Sequence, residues 1–249
     1  MMVPCHVTMA ASTQREVVVL RGPRSLARCA ADWLLGRALA VEEAPAICLA
    51  GGSTPQSLYR LLSEAPYRDR FPWQRVHWFW GDERFVPRDH PRSNYRMVKE
   101  ALFDRVPVPP QNIHPFDTMA TLEVAAASYE RELKSFYGAT ELRPDRPLFA
   151  ATLLGLGGDG HTASLFPGQA ALDEHKAWVA AVPEGQPEPR LTLTYPTLDS
   201  SGEIAFLVSG AAKRDILRRV RNGEDFPATR VDTPGRIRWF VDRAAVGAA

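Results

Sequence analysis

The 249 residues, 45% hydrophobic and 24% charged, are enough to bury a full core within one α/β domain. Lys and Arg number 30 against 29 Asp and Glu, and the formal charge of +1 excludes a global attraction to nucleic acid or to an acidic membrane. Cys5, Cys29 and Cys48 are odd in number and lack C-x-x-C spacing, which argues against a disulfide framework or a zinc site and fits a reducing cytoplasm.

Residues 1–15, MMVPCHVTMAASTQR, have neither the charged start nor the apolar run of a signal peptide, and read as a loose N-terminal tail before a single catalytic domain over 16–245. No apolar run approaches the ~18 residues of a membrane span. EVVVL (16–20) reads as a strand, and RSLARCAADWLLGRALA (24–40) as an amphipathic helix with Leu26, Cys29, Ala30, Trp33, Leu34 and Leu39 on one face. The alternation then repeats. AICLA (46–50) precedes the helical PQSLYRLLSEA, and RVHWFW (75–80) precedes SNYRMVKEALF. FAATLLGL (149–156) follows the helical LEVAAASYERELKSFY (122–137), and EIAFLVSG (203–210) leads into AAKRDILRRV. This pattern predicts an α/β fold with a mostly parallel sheet, helices on both faces and right-handed crossovers. The Pro-rich pieces at 106–116 and 182–190 are short and lie inside the series, so they read as surface loops.

Four predicted strands end in glycine plus polar residues: Gly51-Gly52-Ser53-Thr54-Pro55, Gly81-Asp82-Glu83-Arg84, Gly157-Gly158-Asp159-Gly160-His161 and Ser209-Gly210-Ala211-Ala212-Lys213. For any one of them, relief of a tight turn is explanation enough. In open α/β sheets, however, ligands bind beyond the carboxyl ends of the strands, so the four turns are expected to converge on one site. Gly155, Gly157 and Gly160 fit G-x-G-x-x-G, and Glu184 is a tolerable ribose acid, yet Pro167-Gly168 ends any helix soon after Gly160. A dinucleotide site is therefore rejected. The glycines instead free backbone N–H groups for an anion and bring His161 to the crevice floor. In GGSTP, Gly51 and Gly52 let amides approach a phosphate while Ser53 or Thr54 caps the next helix, although the same residues would serve an ordinary capped helix. Arg84 and Lys213 supply charge, as a fork and as a point charge, unless they are merely solvated. His77, inside an apolar run, reads as a core or sheet-face residue. No His/Asp/Glu cluster has metal-ligand spacing, and no G-x-S-x-G elbow is present.

Taken together, LAGGSTPQSLY, FWGDERFVPRDHPRSNYRMV, LLGLGGDGHTASLFPG, RLTLTYPTL, FLVSGAAKRDIL and IRWFVDRAA resemble the 6-phosphogluconolactonase family from Val17 to Ala245. DGHTASLFPG with GDER is the most specific part. The resemblance implies a modified Rossmann-like α/β fold, no cofactor, no metal and a small-molecule sugar-phosphate lactone as partner. It also implies hydrolysis of 6-phospho-D-glucono-1,5-lactone to 6-phosphogluconate in the oxidative pentose phosphate pathway. Carried over by motif, His161 is the catalytic base, Arg84 a substrate-binding residue and Lys213 a phosphate ligand. Asp82 and Asp159 are expected to orient these groups, unless each only caps its turn. LDSSGE (198–203) and Gly158, often Pro in the family, depart from the usual spellings and bear on fine positioning. A glucosamine-6-phosphate deaminase turn resembling DGHIAFNEPG would place its glutamate at Phe166, which carries no proton, so deamination is disfavoured. A catalytically silent sugar-phosphate binder would use the same residues and stays open.

The chemistry agrees with these residues. A δ-lactone is a reactive ester that needs an oriented water, a proton acceptor and oxyanion stabilisation. A histidine side chain, with an ordinary pKa of about 6.5, is mostly neutral at cytoplasmic pH and accepts that proton.

Overall fold

The computed structural model describes residues 7–9 and 15–247. Its strands in chain order are β1 (Val7–Met9), β2 (Arg15–Leu20), β3 (Ala46–Leu49), β4 (His77–Trp80), β5 (Asp82–Arg84), β6 (Ile113–His114), β7 (Ala151–Leu154), β8 (Val179–Val182), β9 (Arg190–Leu193), β10 (Glu203–Val208) and β11 (Arg236–Asp242). The helices are α1 (Pro23–Ala40), α2 (Ser53–Leu62), α3 (Tyr67–Arg70), α4 (Asn94–Ala101), α5 (Leu122–Tyr137), α6 (Tyr195–Asp199), α7 (Arg214–Arg221), α8 (Pro227–Arg230) and α9 (Arg243–Val246).

The main sheet runs β1-β2-β11-β10-β7-β3-β4-β6, parallel throughout except for β1, which pairs antiparallel with β2. Every residue of β3, β7 and β10 is buried, as expected for strands covered on both faces. The tail expected over 1–15 is thus not wholly loose. Val7–Met9 pair with Val18, Val17 and Glu16, supplying hydrogen-bond partners to an edge that β2 would otherwise leave bare. Residues 1–6 and 10–14 lie outside the described residues.

Helix α1 buries Leu26, Ala27, Ala30, Ala31, Leu34, Leu35 and Ala38. Leu39, expected on that face, is 51% exposed, because the helical period carries it to the solvent side. Helix α5 is capped at both ends. The Thr121 hydroxyl accepts from Val124 N at 3.4 Å, and Gly138 takes the left-handed conformation at φ 74°.

The order of strands locates the site. From β3 the chain proceeds outward to β4 and β6, whereas from β7, which lies on the other side of β3, it proceeds to β10 and β11. The connections leaving β3 and β7 therefore diverge, and a crevice opens beyond their carboxyl ends. Gly51 follows β3 there, and the turn that carries His161 follows β7.

A second, antiparallel sheet in the order β5-β9-β8 borders this crevice. Gly81 joins the two sheets: its N–H donates to Leu49 O at 2.9 Å, and its carbonyl accepts from Leu193 N at 2.8 Å. GDER, expected as a strand-end turn, is therefore a strand itself. Three polar residues carry no alternation by which sequence could reveal it.

Candidate active site

A cavity of about 260 Å³ lies beyond β3, β4, β7 and β10, and Gly51, Gly52, Asp82, Arg84, Gly158, His161 and Lys213 all line it. Of the other expected residues, Asp159 sits behind His161, while Gly160, Ser53 and Thr54 do not line the cavity.

His161 is held on several sides. Its Nδ1 is 2.6 Å from Asp159 Oδ1, and the same oxygen accepts from the His161 amide at 3.1 Å. An ionised carboxylate at Nδ1 makes that nitrogen the donor, so Nε2 carries the lone pair. Burial by itself would raise the Asp159 carboxyl; the hydrogen bonds from His161 and the nearness of its ring hold it below the usual carboxylate range. The turn closes through Gly157 N donating to His161 O at 2.8 Å. A Cβ on Gly157 would stand 2.1 Å from His161 Nδ1, so only glycine lets the ring lie there. Gly160 has φ 85°, and a Cβ on it would meet Phe226 at 2.4 Å. Gly158 has no neighbour within 4 Å and no positive φ, so its place in the turn tolerates a side chain. Ala163, also on the cavity wall, takes φ 48°, a left-handed conformation that costs a non-glycine residue about 1 kcal/mol.

The β3 turn works differently from expectation. Gly52, at φ 102° and ψ 168°, occupies the N-cap of α2, and neither Ser53 nor Thr54 caps it, because helix geometry already begins at Ser53. Gly51 has no room for a side chain, since a Cβ would lie 2.1 Å from Asn94 Oδ1. The first amides of α2 therefore have no side-chain cap and face the crevice end of the helix dipole.

On the β5 side, Asp82 is 7% exposed and fully engaged. It accepts from Ser164 Oγ at 2.7 Å and Asn94 Nδ2 at 3.3 Å, and its Oδ2 lies 3.8 Å from Arg190 Nη1. Its carboxylate thus ties the two sheets and the His161 loop together. The buried Glu83 accepts from the backbone N–H groups of Arg84, Asn94 and Tyr95 at 2.7 to 2.8 Å, fixing the start of α4. Burial pushes its carboxyl up to about 7, against the pull of those hydrogen bonds.

Sequence reasoning passed over Arg190, which is cross-strand partner to Arg84, lines the cavity and is 8% exposed. Its Nη2 donates to Gln186 O at 2.6 Å. Burial lowers its pKa, Asp82 opposes that shift and the neighbouring Arg84 adds to it. The buried Nε atoms of Arg84 and Arg190 make no hydrogen bond to any described residue. With Lys213 on the β10 side, three cations face one carboxylate that is already bonded, and the cavity is electropositive. A single arginine at the head of RLTL gives no signal in one sequence; only its pairing with GDER places it here.

Among the described residues, no group of three or more His, Cys, Asp or Glu is arranged to hold a metal ion, and no helix is long and apolar enough to cross a membrane.

A parallel α/β protein with an imidazole–carboxylate pair among cations at its switch point is built to handle a small anionic molecule. The chain belongs to the family described as glucosamine-6-phosphate isomerases/6-phosphogluconolactonase, whose model matches residues 22–239. It is 39% identical over 214 residues to 6-phosphogluconolactonase of Synechocystis, covering 84% of this chain and 86% of that one. A chloroplastic 6-phosphogluconolactonase of Arabidopsis thaliana is 37% identical over 207 residues, 80% of this chain, and the match spans 63% of that relative's length. Among solved structures, 6-phosphogluconolactonase from Thermotoga maritima superposes with a TM-score of 0.80 at 32% identity, covering 92% of this chain and all of that one (100%). A monomeric glucosamine-6-phosphate deaminase shares the fold, with a TM-score of 0.75 at 23% identity over 94% of this chain and 99% of the other.

Proposed function

We propose that this chain hydrolyses 6-phospho-D-glucono-1,5-lactone to 6-phosphogluconate, with His161 as general base. The observation that carries the reading is His161 on the wall of an electropositive cavity, with Asp159 paired to its Nδ1 from behind. Asp159 holds Nδ1–H and leaves Nε2 to take a proton from water. The water oxygen bonds to the lactone carbonyl carbon, and the oxyanion forms against backbone N–H groups of the glycine turn. The bond from that carbon to the ring oxygen then breaks, and the imidazolium returns its proton to the departing oxygen. Arg84 and Lys213, with Arg190 beside Arg84, hold the phosphate so that the carbonyl meets His161. A negative potential on the ligand suits three cations better than a neutral sugar does.

The reading places the reaction in the cytoplasmic oxidative pentose phosphate pathway. The test is proton release from the phosphorylated lactone at neutral pH in the presence of a chelator. The expected result is turnover well above spontaneous ring opening; a rate equal to the spontaneous one would overturn the proposal.

A further inference from the structure

Phe166 stands between two functional groups of the cavity and touches both. Its ring centroid is 4.5 Å from that of His161, with the planes inclined at 48°. The guanidinium of Arg190 lies over the same ring, 5.7 Å from its centroid. The phenyl group is half-buried and packed against the core, so it does not move freely. It belongs to the same loop as the base, in a stretch anchored by Ser164, whose amide donates to Thr192 Oγ1 at 3.2 Å and whose hydroxyl donates to Asp82 at 2.7 Å.

The Asp159 contact alone cannot fix the imidazole. A single hydrogen bond at Nδ1 sets which nitrogen carries the proton and leaves the ring free to tilt about that bond. The His161 side chain is 30% exposed and Asp159 50%, so solvent competes for both. Gly157 approaches the Nδ1–Cε1 edge of the ring. Phe166 supplies an aromatic contact as well, and a ring against a ring restricts the tilt that an edge contact permits. The cation over the same phenyl ties that restraint to Arg190.

We propose that Phe166 is a positioning residue for His161, fixing the direction of Nε2 and setting it relative to the Arg190 guanidinium. This rests on the function proposed above. A tilted base loses alignment with the water while the cations still bind the phosphate, so the loss falls on kcat and spares KM. A phenol or indole at this position keeps an aromatic contact, whereas an aliphatic side chain of similar size keeps only the packing.

The test compares Phe166→Leu and Phe166→Tyr with the parent protein in lactone hydrolysis, thermal unfolding and NMR of the His161 ring protons. Phe166→Leu should lower kcat roughly tenfold with KM within about twofold, as for other losses of base alignment. Phe166→Tyr should restore most of the rate. Independently of turnover, the His161 ring-proton resonances should lose a ring-current shift in Phe166→Leu and keep it in Phe166→Tyr. A leucine variant that keeps full kcat would overturn the proposal, as would one whose rate falls only in step with its unfolding temperature and is not rescued by Tyr. If the parent protein shows no turnover, the functional reading fails on that result. The NMR comparison then decides the positioning role alone, and unchanged His161 resonances in the leucine variant would refute it.

Discussion

Replacing Asp159 by Asn removes the charge that faces His161 Nδ1 and leaves the shape of the turn intact. The carboxylate oxygen makes two contacts with His161, at 2.6 Å to the ring and 3.1 Å to the amide. An amide oxygen can accept both, so the fold should survive. What is lost is the charge assistance, the difference of about 1–1.5 kcal/mol between a hydrogen bond to an ionised group and one to a neutral group, which under the proposed mechanism weighs on the imidazolium of the transition state. At about 1.4 kcal/mol per decade of rate, kcat should fall roughly 5- to 10-fold. KM should stay near that of the parent, because Asp159 does not line the cavity. Stability should change by less than about 1 kcal/mol, since the pair is substantially exposed and solvent screens it. The assay is initial-rate lactone hydrolysis at saturating substrate with unfolding followed in parallel. A kcat within twofold of the parent would refute the assignment of the Nδ1 proton to Asp159, and a tenfold rise in KM with unchanged kcat would move Asp159 into the binding surface.

Three further outcomes follow from the geometry. Gly157→Ala places a Cβ 2.1 Å from His161 Nδ1 and should cost at least ~100-fold in kcat, whereas Gly158→Ala, with nothing within 4 Å, should stay within a few fold; steady-state rates of the two variants decide it. Arg84→Ala and Lys213→Ala should each weaken the phosphorylated lactone by ~10-fold or more while leaving unphosphorylated gluconolactone nearly unaffected, since the lost contacts are charge-assisted; equal losses on both substrates would place these cations elsewhere. His77 Nδ1 lies 2.9 Å from His114 Nε2, whose ring reaches Glu132 at 2.7 Å, and burial first, then His114, lowers the His77 pKa below 6.5. A histidine held neutral in the folded state binds fewer protons than in the unfolded chain. The His77 contribution to stability should therefore decline as pH falls below about 6.5, and it is read as the difference between the parent and His77→Gln in melts taken between pH 8 and 5, since buried Glu83, raised to about 7, shifts both proteins alike in the opposite direction.

The strand–helix alternation was legible because fully buried parallel strands such as AICL and EIAFLV are continuous apolar runs between amphipathic helices. The candidate turns were legible too, since a strand that ends in glycine and polar residues marks the crevice side of such a sheet. The second sheet was not. Its strands β5, β8 and β9 are three or four residues long, and their pairing depends on a change of direction at Gly81 that only tertiary contacts reveal. Arg190 was hidden for the same reason, because its position follows from its cross-strand partner and not from its own neighbours in sequence. Ser53 and Thr54 misled through composition: both are good capping residues, yet the glycine before them has the backbone freedom to take the N-cap itself. The GDER turn pointed to Asp82 beside the crevice, but that its carboxylate is taken up by Ser164, Asn94 and Arg190 depends on three separate segments meeting.

The most direct test of His161 as the base is the rate of proton release from 6-phosphogluconolactone by the parent protein and by His161→Ala, with 6-phosphogluconate binding measured by calorimetry on both. A positioned general base contributes ~10²–10⁴-fold, so kcat should fall by that order while product affinity stays within a few fold. A folded His161→Ala protein that retains most of the parent kcat would contradict the assignment.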